Sequence, residues 1–506
     1  MKKNLALQLL LVLTCFTALV SVAAAAEDRP NVVFILTDDQ RFDALGCLGH
    51  PLCVTPNLDR LRREGVLFKN AFVTTSLCSP ARACFLTGTY AHTNGVFDNT
   101  GREFDHAKTP SYPKLLQKAG YSTAFVGKWH MGHINDPRPG FDYWLSFTGQ
   151  GTYFDPQLDE NGRDFSQKGY TTDILTDYAI KFLREKRDKS KPFCLYLSHK
   201  AVHGPFTPAP RHKDVLAGKS LPEPESFKDT FRGKPKWQRL KRMDIPSMNK
   251  VAPKGKRKWK NADEMAQAMI DFLNSDAEIP DELPAGGGVW KGDKPARLGY
   301  YAAIWAIDDG VGRVLAELEK MGALNNTLIF FAGDNGYFHG EHGRGDKRLM
   351  YEEALRIPLL LRYPPLVKPN STVKQMVLNI DVAPTVLAAT GTPIPATMQG
   401  QSFLPLLSGK KDVAWRKSFL YEYWADLTPK IPRMVGVRTE TAKLVTYPDI
   451  NDIGELYDLA KDSKEMTNLY ENPEYAALRK VLEKELKKLM HKTNYQNRVL
   501  EKKEKK

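Results

Sequence analysis

Short uninterrupted apolar runs punctuate the chain at Val32–Leu36, Ala124–Val126, Cys194–Leu197, Leu328–Phe331 and Pro358–Leu361. Runs without polar alternation predict strands covered on both faces, the mark of a parallel sheet sandwiched between helices. Between them, helical patterns run over Asn57–Glu64, Thr172–Glu185 and Ala296–Lys320. Asn57 at a start, and Gly65 and Gly322 after ends, fit helix capping. This order predicts an α/β fold with a doubly wound, mostly parallel sheet. After about Gly400 the pattern changes to short strands at Phe419–Tyr423, Val435–Arg438 and Lys443–Tyr447, then a helix from about Pro473 to His491. Residues 401–492 are therefore expected to form a smaller C-terminal α+β subdomain, a short antiparallel sheet plus a helix, followed by a basic tail at 493–506.

The N-terminus adds a compartment. Lys2 and Lys3 precede an apolar run from Leu5 to Val20 and then Ala23-Ala24-Ala25-Ala26. That order reads as a secretory signal peptide over residues 1–26, with a mature chain from about Glu27 that is secreted or periplasmic. A membrane span needs about 20 apolar residues, and no later segment qualifies, so no transmembrane segment is expected. Six cysteines in 506 residues exclude a disulfide scaffold. A Cys47–Cys53 bridge stays open on spacing alone.

Charge changes the picture less than its total suggests. The chain has 73 Lys and Arg against 59 Asp and Glu, a net +14. Twelve of those cations and one acid, Asp244, fall within Arg232–Lys260, so this segment alone carries +11. Without Lys2 and Lys3 the mature chain carries +12, and outside the basic segment it is close to neutral. With a signal peptide and no reader motif, a nucleic-acid partner is not expected.

Three clusters carry chemistry. Thr37-Asp38-Asp39-Gln40 and Gly333-Asp334-Asn335-Gly336 each follow a predicted buried strand, and open α/β sheets bind ligands outside the carboxyl ends of their strands. An isolated pair of this kind reads more readily as a turn or cap than as a ligand set. Together they supply four hard oxygen donors, a set suited to Ca²⁺ or Mg²⁺. In the third cluster, Cys78-Ser79-Pro80-Ala81-Arg82, Ser as N-cap and Pro at the first helical position predict a helix from Pro80 that Gly88 ends. Cys78 then lies just before a helix N-terminus, where negative charge is favoured. Arg82 is misplaced in such a first turn and implies an anion to meet.

Cys78-Ser79-Pro80-Ala81-Arg82 followed by Leu86-Thr87-Gly88 resembles the C-x-P-[SA]-R-x-x-x-[LM]-T-G signature of type I sulfatases, in the alkaline phosphatase superfamily. Gly127–His130 (GKWH), His203–Phe206 (HGPF), Asp346–Glu352 (DKRLMYE) and Glu455–Leu459 (ELYDL) follow in family order, so the resemblance spans nearly the whole mature chain. It implies a sulfatase catalytic domain over 27–400, with a variable basic insertion at about 213–290. It implies that Cys78 becomes Cα-formylglycine, through a formylglycine-generating or sulfatase-maturating enzyme as partner. Asp38, Asp39, Asp334 and Asn335 match metal ligands, usually for Ca²⁺ with Mg²⁺ as the alternative, completed by residue 78. Arg82 and His130 match residues that hold the formylglycine hydrate. Lys128 and Lys347 match those that bind sulfate oxygens, and His203 matches a histidine near the leaving oxygen. A hydrated aldehyde offers one hydroxyl to attack sulfur and a second to expel sulfate later, covalent catalysis in two easier steps. Asp334 is a candidate acceptor of the nucleophile's proton.

Asp346–Pro364 and Asn379–Thr385 are most similar to N-acetylglucosamine-6-sulfatases and their bacterial relatives, which implies a sulfated carbohydrate substrate, 6-O-sulfated N-acetylglucosamine or a related glycan. Tyr90, His92, Asn99 and Thr100 resemble that subgroup and are read either as lining a sugar pocket or as an ordinary loop. The basic segment, with Trp237 and Trp259, is read as a holder of sulfated polysaccharide or as a solvated insertion. Two other functions stay in play: a phosphonate or phosphodiester hydrolase on the same fold, and a non-catalytic binder of sulfated polysaccharide.

Overall fold

Apolar runs with two buried faces demand a sheet covered on both sides. The computed structural model of the chain, which describes residues 29–133, 135–242, 294–410, 412–424 and 431–496, contains such a sheet. Its strands are β1 (Asn31–Thr37), β2 (Val66–Phe72), β3 (Ser122–Lys128), β4 (Tyr143–Phe147), β5 (Gln157–Glu160), β6 (Arg163–Ser166), β7 (Phe193–Ser198) and β8 (Thr327–Gly333). After a small ribbon of β9 (Phe338–His339) and β10 (Gly345–Asp346) come β11 (Leu359–Arg362) and β12 (Ser371–Leu378). The spatial order is β12-β2-β11-β8-β1-β7-β3-β4-β5-β6, with β8, β1, β7, β3 and β4 mutually parallel. The expected strand at Pro358–Leu361 is present as β11, but it runs antiparallel to both β8 and β2. A parallel return is usually made by a crossover helix, and the link from β8 carries only the ribbon with its 3-10 turn at Glu341–Gly343 and one helical turn at Glu352–Leu355.

The two faces are read strictly alternately. Val33, Ile35, Leu195, Leu197, Ile329 and Phe331 enter one core with helices α1 (Pro56–Glu64), α3 (Thr171–Lys181) and α4 (Lys294–Lys320). Val32, Phe34, Leu36, Tyr196, Phe330 and Ala332 enter the other with α2 (Cys78–Thr87) and α5 (Val382–Ala389). The helix expected over Thr172–Glu185 ends in a π-helical turn at Phe182–Lys186. Asn57 does not cap α1. Instead Asp308, on α4, accepts from the Leu58 amide at 2.8 Å, the Asn57 amide at 3.1 Å and the Asn57 side chain at 2.9 Å. With Pro56 lacking an N–H, one carboxylate from another helix thus satisfies the orphan donors at the start of α1. Cys47 and Cys53 are free thiols.

The C-terminal segment forms a four-stranded antiparallel sheet, β13 (Ser418–Tyr423), β14 (Met434–Thr439), β15 (Ala442–Thr446) and β16 (Glu455–Asp458), in chain order. Three of these strands were expected; β16 is too short to show a pattern. Helix α6 (Ala476–Lys492) covers it through Leu482, Leu486 and Leu489, spaced four and three residues apart on one face. Trp237 does not face solvent as a sugar platform would. It is fully buried in this third core, edge-on to Tyr447 with ring centroids 5.4 Å apart, and its amide donates to Asp452 Oδ2 at 3.0 Å. Lys234 is buried beside it, its ammonium bonded to Asp229 Oδ2 at 2.6 Å and to the Glu465 carbonyl at 2.8 Å. The start of the basic segment is therefore a wedge in an apolar core, while Lys254–Lys258 and Trp259 lie outside the described residues. Among the described residues, no helix is long and apolar enough to cross a membrane.

His92, in the short helix Ala91–Asn94 after the signature segment, ties that region to the C-terminal sheet through both ring nitrogens. Its Nδ1 lies 2.9 Å from Glu422 Oε2 and its Nε2 2.8 Å from the Thr493 carbonyl. Two acceptors on opposite edges of the ring require two protons, so the imidazole is cationic here. Burial opposes that charge, but Glu422 and the Thr493 carbonyl outweigh it and raise the histidine above its ordinary value.

Asp308→Ala should destabilise the protein by about 2 kcal/mol, the loss of a cap with several buried donors, seen as a lower denaturation midpoint. A histidine raised on folding contributes stability in full below its unfolded pKa of about 6.5, and loses it as pH rises through the folded value. His92→Gln should therefore lower the midpoint more at pH 6 than at pH 9.

Candidate active site

The parallel register of β1 and β8 sets Thr37 beside Gly333, so Asp38-Asp39 and Asp334-Asn335 leave neighbouring strand ends side by side. The Asp334 amide donates to the Thr37 carbonyl at 2.9 Å, and the Asp39 amide donates to Asp334 Oδ1 at 2.9 Å. On the other flank of β1, β7 runs on alongside, and the Asp38 amide donates to the Ala201 carbonyl at 3.0 Å. Next to β7, β3 ends in Lys128. Gly127 just before it has φ +119°, and a Cβ there would stand 1.9 Å from the Ser198 carbonyl oxygen. Only glycine lets β3 and β7 meet this closely and deliver Lys128 to the centre.

The signature helix arrives from the opposite face. It begins at Cys78, two residues earlier than expected. The Ser79 hydroxyl does not cap it; that hydroxyl donates to the His130 carbonyl at 2.5 Å. Gly88 ends it with φ 65°, as expected. Cys78 has no exposed surface; its Sγ donates to Asp38 Oδ1 at 3.3 Å and receives the Lys347 ammonium at 3.2 Å. Burial and the Asp38 charge push the thiol far above its ordinary pKa. As a thiol it is a poor nucleophile.

All the sequence-predicted residues meet here. Ligand atoms of Asp38, Asp39 and Asp334 lie within 4.8 Å of one another, as do those of Asp38, Cys78 and His203. The Lys128 ammonium bonds Asp38 and the Lys347 ammonium bonds Asp39. Arg82 finds its anion in Asp334, with Nε 2.9 Å from Oδ2, and its Nη1 donates to the Lys128 carbonyl at 2.8 Å and to Ser198 Oγ at 2.6 Å. Burial opposes the Asp38 charge, yet Lys128 and the nearby cations hold its carboxyl well below the usual range. Asp334 moves the other way, pushed up by burial and by Asp38 against the pull of Arg82. His203 stands with Nε2 3.8 Å from Asp39 Oδ2, and its Nδ1 faces the Gly204 carbonyl at 3.1 Å. Burial holds it below the ordinary histidine value.

The donor set fits a hard cation. Asp39 Oδ2 and Asn335 Oδ1 are buried without a hydrogen-bond partner among the described residues. The rest of each group is engaged: Asn335 Nδ2 donates to Asp39 Oδ1 at 2.7 Å and to the Gly336 carbonyl at 2.8 Å. Leaving two buried oxygens without a partner costs about 1–3 kcal/mol each, a cost that a cation between them removes.

Three further residues, Gln150, Ser198 and Lys200, belong to the site and carried no motif signal, and Asn99, read from the sequence as a pocket or loop residue, joins them. Gln150 receives the Lys128 ammonium and lies 3.1 Å from His130 Nε2. Ser198 holds Arg82, and Asn99 Oδ1 accepts from the Ser79 amide at 3.0 Å, so Asn99 braces the signature helix. Lys200 stands 4.8 Å from the Tyr153 ring centroid, and burial lowers its pKa to about 8. Only its place two residues past a strand end hinted at it.

Residues 30–392 match the sulfatase family model, and residues 340–492 match the model described as N-sulphoglucosamine sulphohydrolase, C-terminal. The chain is 38% identical over 501 residues to the N-acetylglucosamine-6-O-sulfatase of Bacteroides thetaiotaomicron, covering 92% of this chain and 87% of that one. It is 32% identical over 437 residues to the N-acetylglucosamine-6-sulfatase of Homo sapiens, covering 82% and 71%. A protein solved in complex with its substrate D-glucosamine-2-N,6-O-disulfate superposes with TM-score 0.79 at 36% identity, over 94% of this chain and 100% of that one. The phosphonate monoester hydrolase of Agrobacterium radiobacter shares the fold, with TM-score 0.68 at 22% identity over 92% of this chain and 96% of that one. The family match takes in both strand-end acidic pairs and the helix that carries Cys78, and the chain belongs to the sulfatases, sulfuric ester hydrolases that work with a formylglycine and a metal.

Proposed function

We propose that this sulfatase removes the 6-O-sulfate of N-acetylglucosamine or of a closely related sulfated glycan. The observation that carries the substrate class is the similarity, over most of the chain, to two N-acetylglucosamine-6-sulfatases and to a protein solved with a 6-O-sulfated glucosamine. On this proposal residues 1–26 direct export to the periplasm or beyond. Residues 27–400 are the catalytic domain with an insertion at about 213–290, and residues 401–492 are the C-terminal subdomain. A formylglycine-generating or sulfatase-maturating enzyme acts on Cys78.

Asp38, Asp39, Asp334 and Asn335, with residue 78, would hold Ca²⁺, the hard cation that an all-oxygen carboxylate and amide set suits, with Mg²⁺ second. Together the cation and the formylglycine supply an activated hydroxyl nucleophile and a Lewis-acid grip on the sulfate. Lys128 and Lys347, each aimed by a carboxylate, stabilise charge on the sulfate oxygens. Arg82 is fixed by Asp334, Ser198 and the Lys128 carbonyl, so it acts without moving, keeping Asp334 and the start of the signature helix in place. The Gly204 carbonyl keeps the proton of His203 on Nδ1 and leaves Nε2 to face the site. A second proton on Nε2 can then pass to the leaving alkoxide.

Against a panel of sulfated mono- and oligosaccharides, with phosphodiester and phosphonate esters in parallel, protein with converted Cys78 should desulfate 6-O-sulfated glucosamine units fastest. Cys78→Ala should lower kcat/KM on the order of a thousandfold or more. Preference for a phosphorus ester would sink the substrate assignment. Excess Ca²⁺ should raise the denaturation midpoint of the wild-type protein, by about 2.7 kcal/mol at a hundred times Kd, and Asn335→Ala should abolish most of that rise. An equal rise in the variant would move the cation elsewhere.

A further inference from the structure

Gln150 lies in the turn between β4 and β5, outside every family motif in this chain. Its amide touches both Lys128 and His130. Oε1 accepts from the Lys128 ammonium at 2.5 Å, and Nε2 lies 3.1 Å from His130 Nε2. An ammonium only donates, so the amide has one orientation available, with its oxygen on Lys128 and its NH₂ toward the ring. That NH₂ donates in turn, so His130 Nε2 must be the bare, accepting nitrogen.

The opposite edge of the ring gives the same answer independently. Ser79 Oγ sits 2.5 Å from the His130 carbonyl, which accepts only, so the single hydroxyl proton is committed there. Toward His130 Nδ1, 3.2 Å away, the hydroxyl can only accept. Nδ1 therefore carries the proton. Ser79 is itself braced, its amide donating to Asn99 Oδ1. An unbroken chain of contacts runs from Lys128 through Gln150 and His130 to Ser79, next to the nucleophile position.

We propose that Gln150 is a positioning residue for the sulfatase reaction: it aims the Lys128 ammonium and holds His130 as the tautomer whose basic nitrogen is Nε2. This rests on the proposed sulfatase function, with Lys128 binding sulfate oxygens and His130 beside the residue-78 nucleophile, as the family resemblance implies. Burial and Lys128 also disfavour the cationic ring, in keeping with a single ring proton. Without the amide, Lys128 keeps Asp38 as its acceptor but loses the one that separates it from the imidazole, and Nε2 loses its donor while Ser79 alone holds the ring.

The test uses the full chain labelled with ¹⁵N-histidine, with the His130 signals assigned by their loss in His130→Asn. Wild-type protein should show Nδ1 protonated and Nε2 bare. Gln150→Glu, which offers carboxylate oxygens to both neighbours, should add a proton on Nε2 beside the one Ser79 keeps on Nδ1, and Gln150→Met, similar in size but without the amide, should leave Nε2 bare but shift its resonance through loss of the hydrogen bond. In converted protein, both variants should lower kcat by about tenfold to a hundredfold, with KM changed much less. A protonated, hydrogen-bearing Nε2 in the wild type, or a His130 pattern that is the same in all three proteins, would overturn the proposal. The spectra need neither substrate nor converted Cys78, so their outcome does not depend on which ester the enzyme cleaves.

Discussion

Three carboxylates packed within 4.8 Å in a site without exposed surface would repel one another strongly enough to oppose folding. Everything around them is arranged against that repulsion. Arg82 comes from the signature helix, Lys128 from the end of β3 and Lys347 from the link after β10, and each reaches a different aspartate. The geometry of the centre is thus an electrostatic settlement among elements that are far apart in sequence. Truncating one charge would leave its partner buried and unpaired, the costly outcome for such a pair. The same settlement leaves two oxygens bare, on Asp39 and Asn335, and so keeps a place for a cation.

Much of this was legible because it rests on local chemistry repeated in the chain. The apolar runs of β1, β3, β7 and β8 have no polar positions, and only a doubly covered sheet explains such runs. The Asp-Asp and Asp-Asn pairs at the ends of β1 and β8 were readable for the same reason, since strand ends in such sheets are where ligands sit. Gly88 was readable because a left-handed residue ends a helix.

What was not legible depends on partners with no sequence relation. Asn57 has the right residue type to cap α1, but Asp308 reaches the helix first from α4, 251 positions away. His92 was read as a pocket or loop residue, and nothing local announced its partners, Glu422 on β13 and the Thr493 carbonyl just past α6. Trp237 among lysines was read as a sugar platform or part of a solvated insertion, yet Trp237 enters the third core against Tyr447, and Lys234 bonds the Glu465 carbonyl, both more than 200 positions away. Gln150 sits in a glycine-flanked turn whose composition says loop and nothing more. In each case the deciding contact is long-range, and periodicity and spacing carry no information about it.

The pairing of β1 with β8 joins segments nearly 300 residues apart, and Lys234 finds its carbonyl partner 231 residues later. The metal cradle cannot close before Asp334 and Asn335 have joined the chain, nor the wedge under the C-terminal sheet before Glu465 has. Folding of the central sheet therefore waits on loop closures of the slow, non-local kind, and the early segments stay open in the meantime. Cys78, which has no exposed surface once the helix is seated, is within reach of an external reagent only during that interval. The topology sets a time window for chemistry at this residue, and a variant that folded faster would narrow it.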